Sequence, residues 1–341
     1  FHLRSENRST GTGARIVIDI AAIESAARRL AGVSVRTPLL QNFELDAAAG
    51  GKVLVKPECL QVTGSFKIRG AYNFLSQLSS EQARSGVVAF SSGNHAQGVA
   101  AAGRMLGIRT AIVMPEDAPR AKLENTRRLG GEVITYDRYT GDREAIAREV
   151  AAERGAVVVP SYDHDYIIAG QGTVGLEIAE QSAELGMEPD QVLVCCGGGG
   201  LIAGSATALK ARLPNVSVHT VEPEDFDDTA RSLRTGNRES VDDSARSICD
   251  ALQAHMPGEL TFAINQALLG DGLTVSDDDV RAAMRFAFKQ LKLVIEPGGA
   301  VALAAVLTGQ IDTSAKTTAI VLSGGNVDSD LFAEIQREKS G

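Results

Sequence analysis

The segment QVLVCCGGGGLIAG, residues 191–204, decides the fold. After Gln191, its first half is a run of apolar and β-branched residues, the pattern of a strand buried on both faces. Gly197, Gly198, Gly199 and Gly200 then permit a tight reversal, and Leu201, Ile202 and Ala203 open an apolar helical stretch. Strand, glycine loop and helix in that order make one βα unit. Bare amide hydrogens at a helix N-terminus form an anion site, and phosphate is the anion such a loop fits. Which phosphate stays open on these residues. Gly198-x-Gly200-x-x-Ala203 also matches the dinucleotide fingerprint, and Glu222 stands near the ribose-binding position. A dinucleotide-binding oxidoreductase is therefore an alternative at this point.

Working outward, further strands are expected at 53–55, 87–90, 110–113, 132–134, 157–159, 217–221 and 317–322. Amphipathic helices separate them, among them 95–106, 121–129 and 143–154, closed by Gly107, Gly130 and Gly155. Asp19 can cap a first helix with Ile20, Ile23, Ala27 and Leu30 on one face, ending at Gly32. This alternation predicts an α/β protein with two open, mainly parallel twisted sheets and helices on both faces. The compact stretch 87–159 forms its own small sheet on this reading. Residues 76–163 are then a small domain, 14–75 and 164–337 a large one, with the ligand cleft between them. Residues 1–13 are polar and read as a disordered arm or a leftover of expression.

The 341 residues suffice for a sizeable core, and 44% hydrophobic with 23% charged residues is ordinary globular usage. A net charge of −9 with no Lys/Arg run argues against a nucleic-acid partner. No apolar run approaches the roughly 20 residues that span a bilayer, so no membrane partner is expected. Cys59, Cys195, Cys196 and Cys249 show neither CxxC spacing nor a disulfide framework, which suits a reducing, cytoplasmic setting.

Three other loops carry reactive groups. In TGSFKIRGA, residues 63–71, Ser65 is expected to cap a helix whose first turn holds Lys67. A cation there opposes the helix dipole, which favours the free amine and suits a Schiff-base lysine; a solvated surface lysine is the alternative. SSGNHAQG, residues 91–98, offers hydroxyls and backbone donors to a carboxylate or phenolic oxygen. SGGN, residues 323–326, ends the last strand and alone is a turn.

Together, SFKIRGA, SSGNHAQG, GQGT (170–173), GGGGL and SGGN resemble, in order and spacing, the serine/threonine dehydratase and serine racemase family. These are fold-type-II pyridoxal-phosphate enzymes related to tryptophan synthase β. The resemblance runs from about Thr37 to Asn326 and displaces the dinucleotide reading. It implies that Lys67 carries the cofactor and that Gly197, Gly198, Gly199, Gly200 and Leu201 hold its phosphate. Asn94 would contact the phenolic oxygen, Phe66 flank the ring, and Ser323 face the pyridine nitrogen. Because a hydroxyl cannot hold a proton on that nitrogen, the ring is a weak electron sink, which favours β-elimination. Ser65, Ser91, Ser92, Gly93, Asn94 and His95 would grip the substrate. The implied reaction converts threonine, serine or 3-hydroxyaspartate to a keto acid and ammonia, Lys67 taking the α-proton. A homodimer is the family expectation, and residues 327–341 leave no room for a regulatory amino-acid-binding domain.

Three departures stand out. The simplest bacterial dehydratases have alanine where Ser92 stands, and in serine racemases that second serine is an acid/base on the face opposite the lysine. A serine or aspartate-type racemase with dehydratase side activity is thus the alternative function, unless Ser92 merely caps a helix. Glu222, the Phe226 carbonyl and Asp228 resemble the racemase-type site for magnesium, manganese or calcium, against a plain acidic surface loop. Cys249-Asp250-Ala251 replaces an alanine-aspartate-glycine tripeptide, and no activating group argues for Cys249 as a nucleophile.

Overall fold

The structure, a computed structural model, describes residues 18–91, 93–118, 120–137 and 139–338. The expectations for residues 1–13 and for Ser92 lie outside the described residues. Among the described residues there are ten strands: β1 Leu40–Gln41, β2 Lys52–Pro57, β3 Val87–Phe90, β4 Thr110–Pro115, β5 Glu132–Tyr136, β6 Val157–Val158, β7 Gln191–Cys195, β8 Ser217–Pro223, β9 Leu273–Val275 and β10 Thr317–Leu322. They form a six-stranded sheet, β1-β2-β10-β7-β8-β9, and a four-stranded sheet, β5-β4-β3-β6. Of these strand pairings, β1–β2 is antiparallel and the others are parallel. The α/β class with two mainly parallel sheets holds. β4 and β7 are buried along their whole length, as strands covered on both faces must be, whereas β5 at a sheet edge is partly exposed. β1 and β9 escape the sequence because two or three residues carry no readable period.

Register places the chemistry-bearing loops at one edge. Leu322 pairs with Pro57 and Ile320 with Leu193, so β2, β10 and β7 point their carboxyl ends the same way. The chain after β10 is stitched to the loop preceding Lys67. Ser65 bridges Gly324, the Phe66 amide donates to the Ser323 carbonyl at 3.1 Å, and the Gly325 amide to the Gly64 carbonyl at 2.8 Å.

Helix Pro297–Leu307 is apolar all round and buried through residue 306, a core helix under the large sheet. Helices Asp165–Leu185 and Gly200–Arg212 approach through small residues. A Cβ on Gly204 would lie 2.2 Å from the Ile168 carbonyl oxygen, so only glycine permits this contact.

Beneath helix Lys67–Leu75 lies a buried ionic network. Arg69 forks onto Glu58 at 2.8 Å through both Nε and Nη2, and reaches Glu177 at 2.7 and 2.9 Å. Lys56 closes the quartet, donating to Glu177 at 2.6 Å, to the Thr37 carbonyl at 2.7 Å and to Gln181 at 2.8 Å. Each buried charge has an opposite charge and further hydrogen bonds, the condition for holding ions in a core.

Candidate active site

Lys67 is the first residue of its helix, in the turn where a cation is disfavoured, but Ser65 is not its cap. Phe66 precedes the helix in helical geometry (φ −58°, ψ −18°) with no side-chain cap. The bridge to Gly324 claims Ser65 instead and leaves its hydroxyl, like that of Thr63, buried without a partner among the described residues. The Lys67 amine donates to the Ser161 carbonyl at 2.9 Å and stands 5.3 Å from the Phe66 ring centre. Burial pushes its pKa down to about 8, against the opposing pull of Cys195 and Glu296. An amine so placed is nucleophilic near neutrality.

The glycine loop joins β7 to helix Gly200–Arg212. Gly199 takes the left-handed conformation (φ 93°, ψ −5°) and caps helix Gly200–Arg212, with Leu201 buried in its first turn. Tyr162 covers the loop: a Cβ on Gly198 would lie 2.3 Å from its ring. The Thr261 hydroxyl donates to the Gly198 carbonyl at 2.7 Å, and Asp163 accepts from the amides of Glu259 and Thr261 at 3.0 Å each. Gly197 packs on the Asp250–Leu252 turn, a Cβ there falling 3.2 Å from the Leu252 Cα. The loop is thus braced from behind by neighbouring segments while its amides and the helix N-terminus remain available to an anion.

The loop after β3 carries Ser91 and Gly93 into a helix that begins with Asn94 and His95. The Gly93 amide donates to Ser91 Oγ at 3.1 Å, and helix Asn94–Leu106 starts without a side-chain cap. His95 is buried, its Nε2 3.2 Å from the Val159 carbonyl; burial and then Lys67 push its pKa down to about 3, so the ring is neutral. Asn94 donates to Glu296 at 2.5 Å and accepts from Asn326 at 2.7 Å. Sequence reading passed over Glu296. Its signal was a lone acid between Ile295 and the all-apolar helix Pro297–Leu307. Burial, then the charge of Asp250, raise its pKa to about 7. Ser323 is buried at the end of β10 and hydrogen-bonds the Cys195 thiol, which burial nonetheless raises to about 11.

Behind the glycine loop, Glu222 and Asp228 are wholly buried. Glu222 accepts from the amides of Thr229 at 3.0 Å and Ala230 at 2.7 Å, which occupies the group a ribose reader would need free. Both Asp228 carboxylate oxygens lack a partner among the described residues. Burial, followed by the charge of Asp228, drives Glu222 well above the usual carboxylate range, and burial raises Asp228 to about 7. Phe226 is buried at the turn between them. Among the described residues no group of three or more His, Cys, Asp or Glu side chains could hold a metal ion, so a site here would need carbonyl oxygen as well. Cys249 is buried and its thiol is pushed far up by burial, which removes it as a nucleophile.

A family model described as "Pyridoxal-phosphate dependent enzyme" matches residues 31–324. The chain is 44% identical over 310 residues to an L-threo-3-hydroxyaspartate ammonia-lyase of Pseudomonas sp, covering 91% of this chain and 96% of the relative. It is 40% identical to the serine racemase of Schizosaccharomyces pombe, covering 91% and 95%. Among solved structures, maize serine racemase superposes with a TM-score of 0.88 at 39% identity, covering 93% of this chain and 96% of that one.

Proposed function

The chain belongs to the pyridoxal-phosphate-dependent enzymes and is an ammonia-lyase acting on a small β-hydroxy amino acid; we propose that Lys67 is its cofactor-bearing base. The observation that carries this reading is Lys67 itself, a cleft amine held at about 8 beside a braced glycine loop. The residues present suit the cofactor. Gly197, Gly198, Gly199, Gly200 and Leu201 would hold its phosphate, Ser323 its ring nitrogen, Asn94 its phenolic oxygen and Phe66 its ring face. When bound, pyridoxal phosphate supplies an electron sink that acidifies the α-hydrogen of the amino acid joined to it. Lys67 would remove that proton; the β-hydroxyl would leave with a proton as water, and hydrolysis of the released enamine would give the keto acid and ammonia. Ser65, whose hydroxyl is otherwise orphaned, and the loop of Ser91, Gly93, Asn94 and His95 would orient the substrate carboxylate; the role assigned to Ser92 rests on sequence. Keto-acid release from 3-hydroxyaspartate, threonine and serine tests the reading. Turnover on at least one, abolished in Lys67→Ala, is expected; undiminished turnover in that variant sinks it.

The racemase alternative keeps its weight from Ser92 and the serine racemase relatives. Chiral analysis of serine after incubation with enzyme and with Ser92→Ala separates the two: only a racemase loses interconversion in the variant. The orphaned Asp228 oxygens beside Glu222 fit a hard divalent ion, with Glu222, Asp228 and the Phe226 carbonyl as ligands and magnesium, manganese or calcium as candidates. Binding to the folded state alone raises the melting temperature by mass action, so manganese should raise Tm in the parent and not in Asp228→Asn. A Tm indifferent to metal would leave these as structural carboxylates. Four unpaired cysteines support a cytoplasmic setting, and exposed Phe43, Phe288 and Val294 support a homodimer face. Among the described residues no helix is long and apolar enough to cross a membrane.

A further inference from the structure

We propose that Glu296 and Asn326 are positioning residues that fix the amide of Asn94 so that an N–H, rather than its carbonyl, is presented to the cofactor's phenolic oxygen. The inference rests on the cofactor seat proposed above and concerns how that seat is kept in one orientation.

The donor and acceptor count leaves one arrangement. Asn326 Nδ2 donates twice, to the Thr63 carbonyl at 2.7 Å and to Asn94 Oδ1 at 2.7 Å. Turning the Asn326 amide over would set its oxygen against two acceptors, so Thr63 decides which way it points. Asn94 Oδ1 is thereby committed as an acceptor, and its Nδ2 must lie on the opposite side. There Glu296 Oε1 accepts one hydrogen at 2.5 Å. One Nδ2 hydrogen remains, and among the described residues no protein atom claims it. Glu296 is held in turn. It is buried, it precedes helix Pro297–Leu307, its amide donates to the Gly324 carbonyl at 3.0 Å, and a Cβ on Gly324 would fall 2.1 Å from its Oε1. Asn326 packs on Gly64, where a Cβ would fall 2.6 Å from its Oδ1. The chain Thr63–Asn326–Asn94–Glu296 therefore joins four loops far apart in sequence, and each link fixes the orientation of the next.

The surroundings of Glu296 make the link sensitive to charge. Burial and then Asp250 raise its pKa, while the Asn94 hydrogen bond and the cations of Lys122 and Lys67 lower it, leaving it at about 7. An ionised carboxylate can only accept from Asn94; a neutral amide in its place can also present a donor and let the amide turn.

The test uses Glu296→Gln and Asn326→Asp, each purified cofactor-free and reconstituted with pyridoxal phosphate. Glu296→Gln keeps shape and removes the obligatory acceptor; Asn326→Asp removes the donors that commit Asn94 Oδ1. Both are expected to bind the cofactor about ten-fold more weakly, the scale of one charge-assisted hydrogen bond. Both should also shift the pH at which the absorbance band of the Lys67-bound cofactor changes, by about one unit. Glu296→Asp, still an acceptor, should recover part of that shift. The melting temperature of the cofactor-free variants shows whether each is folded. A folded variant whose binding and absorbance profile both match the parent overturns the proposal. Failure of the parent itself to bind the cofactor through Lys67 would instead overturn the seat.

Discussion

At the scale of the residue, the chemistry turns on one amine. An ordinary lysine titrates near 10.4 and is almost wholly protonated at neutral pH. Burial lowers Lys67 to about 8, so a useful fraction is free amine there. Only the free amine attacks the cofactor's aldehyde. The rate of cofactor uptake by the cofactor-free protein should therefore rise with pH, level off above about 8, and fall about ten-fold per unit below it. Stopped-flow absorbance after mixing with pyridoxal phosphate measures this. A rate still climbing steadily past pH 9 would show that the cleft leaves Lys67 an ordinary lysine. The neutral state of His95 is set by the same burial, so the loop proposed to face the substrate carboxylate carries no titrating histidine charge in this range.

At the scale of the element, helix Lys67–Leu75 is placed by what lies under it. Arg69 is wholly buried and makes five hydrogen bonds to the carboxylates of Glu58 and Glu177 and to Thr173. Replacing it with methionine leaves two buried acids sharing Lys56 alone, a loss of about 3–5 kcal/mol. Lysine should not rescue, because a point charge cannot fork onto two carboxylates. Urea unfolding of Arg69→Met and Arg69→Lys checks both statements; a loss below 1 kcal/mol in either would mean the network relaxes around the gap. This element also shows where the sequence was legible. The glycine loop, the parallel strands and the placing of Lys67 in a first turn follow from local pattern, since period and glycine content are local signals. Ser65 was misassigned because its partner, Gly324, is remote in the chain and outweighs the local capping preference. Glu296 and the Arg69 network were invisible for the same reason: a buried charge is recognised by its partners, and those lie on other elements.

At the scale of the whole molecule, an ion pair between Lys122 and Asp250 joins elements that pack on the two different sheets. Lys122, on helix Arg120–Arg128 beside the four-stranded sheet, donates to Asp250 at 2.7 Å. Asp250 opens the turn that packs on Gly197 and on Gly298 of the core helix. The pair therefore links the smaller sheet to the segment bracing the glycine loop. Its side chains are 20% and 56% exposed, so it contributes no more than about 1 kcal/mol to global stability. Its leverage is on local opening between these two segments. Lys122→Met should leave the melting temperature within about 4 °C of the parent and release bound pyridoxal phosphate several-fold faster. Because the pair is solvent-facing, salt screens it over a Debye length of about 10 Å at 0.1 M, and raising salt should speed release from the parent alone. Asp250→Asn should behave as Lys122→Met does, and the double variant no worse than either, since both substitutions remove the same interaction. Release followed by gel filtration at two salt concentrations decides the matter. Additive effects in the double variant, or salt sensitivity persisting in Lys122→Met, would mean that other groups hold the two segments together.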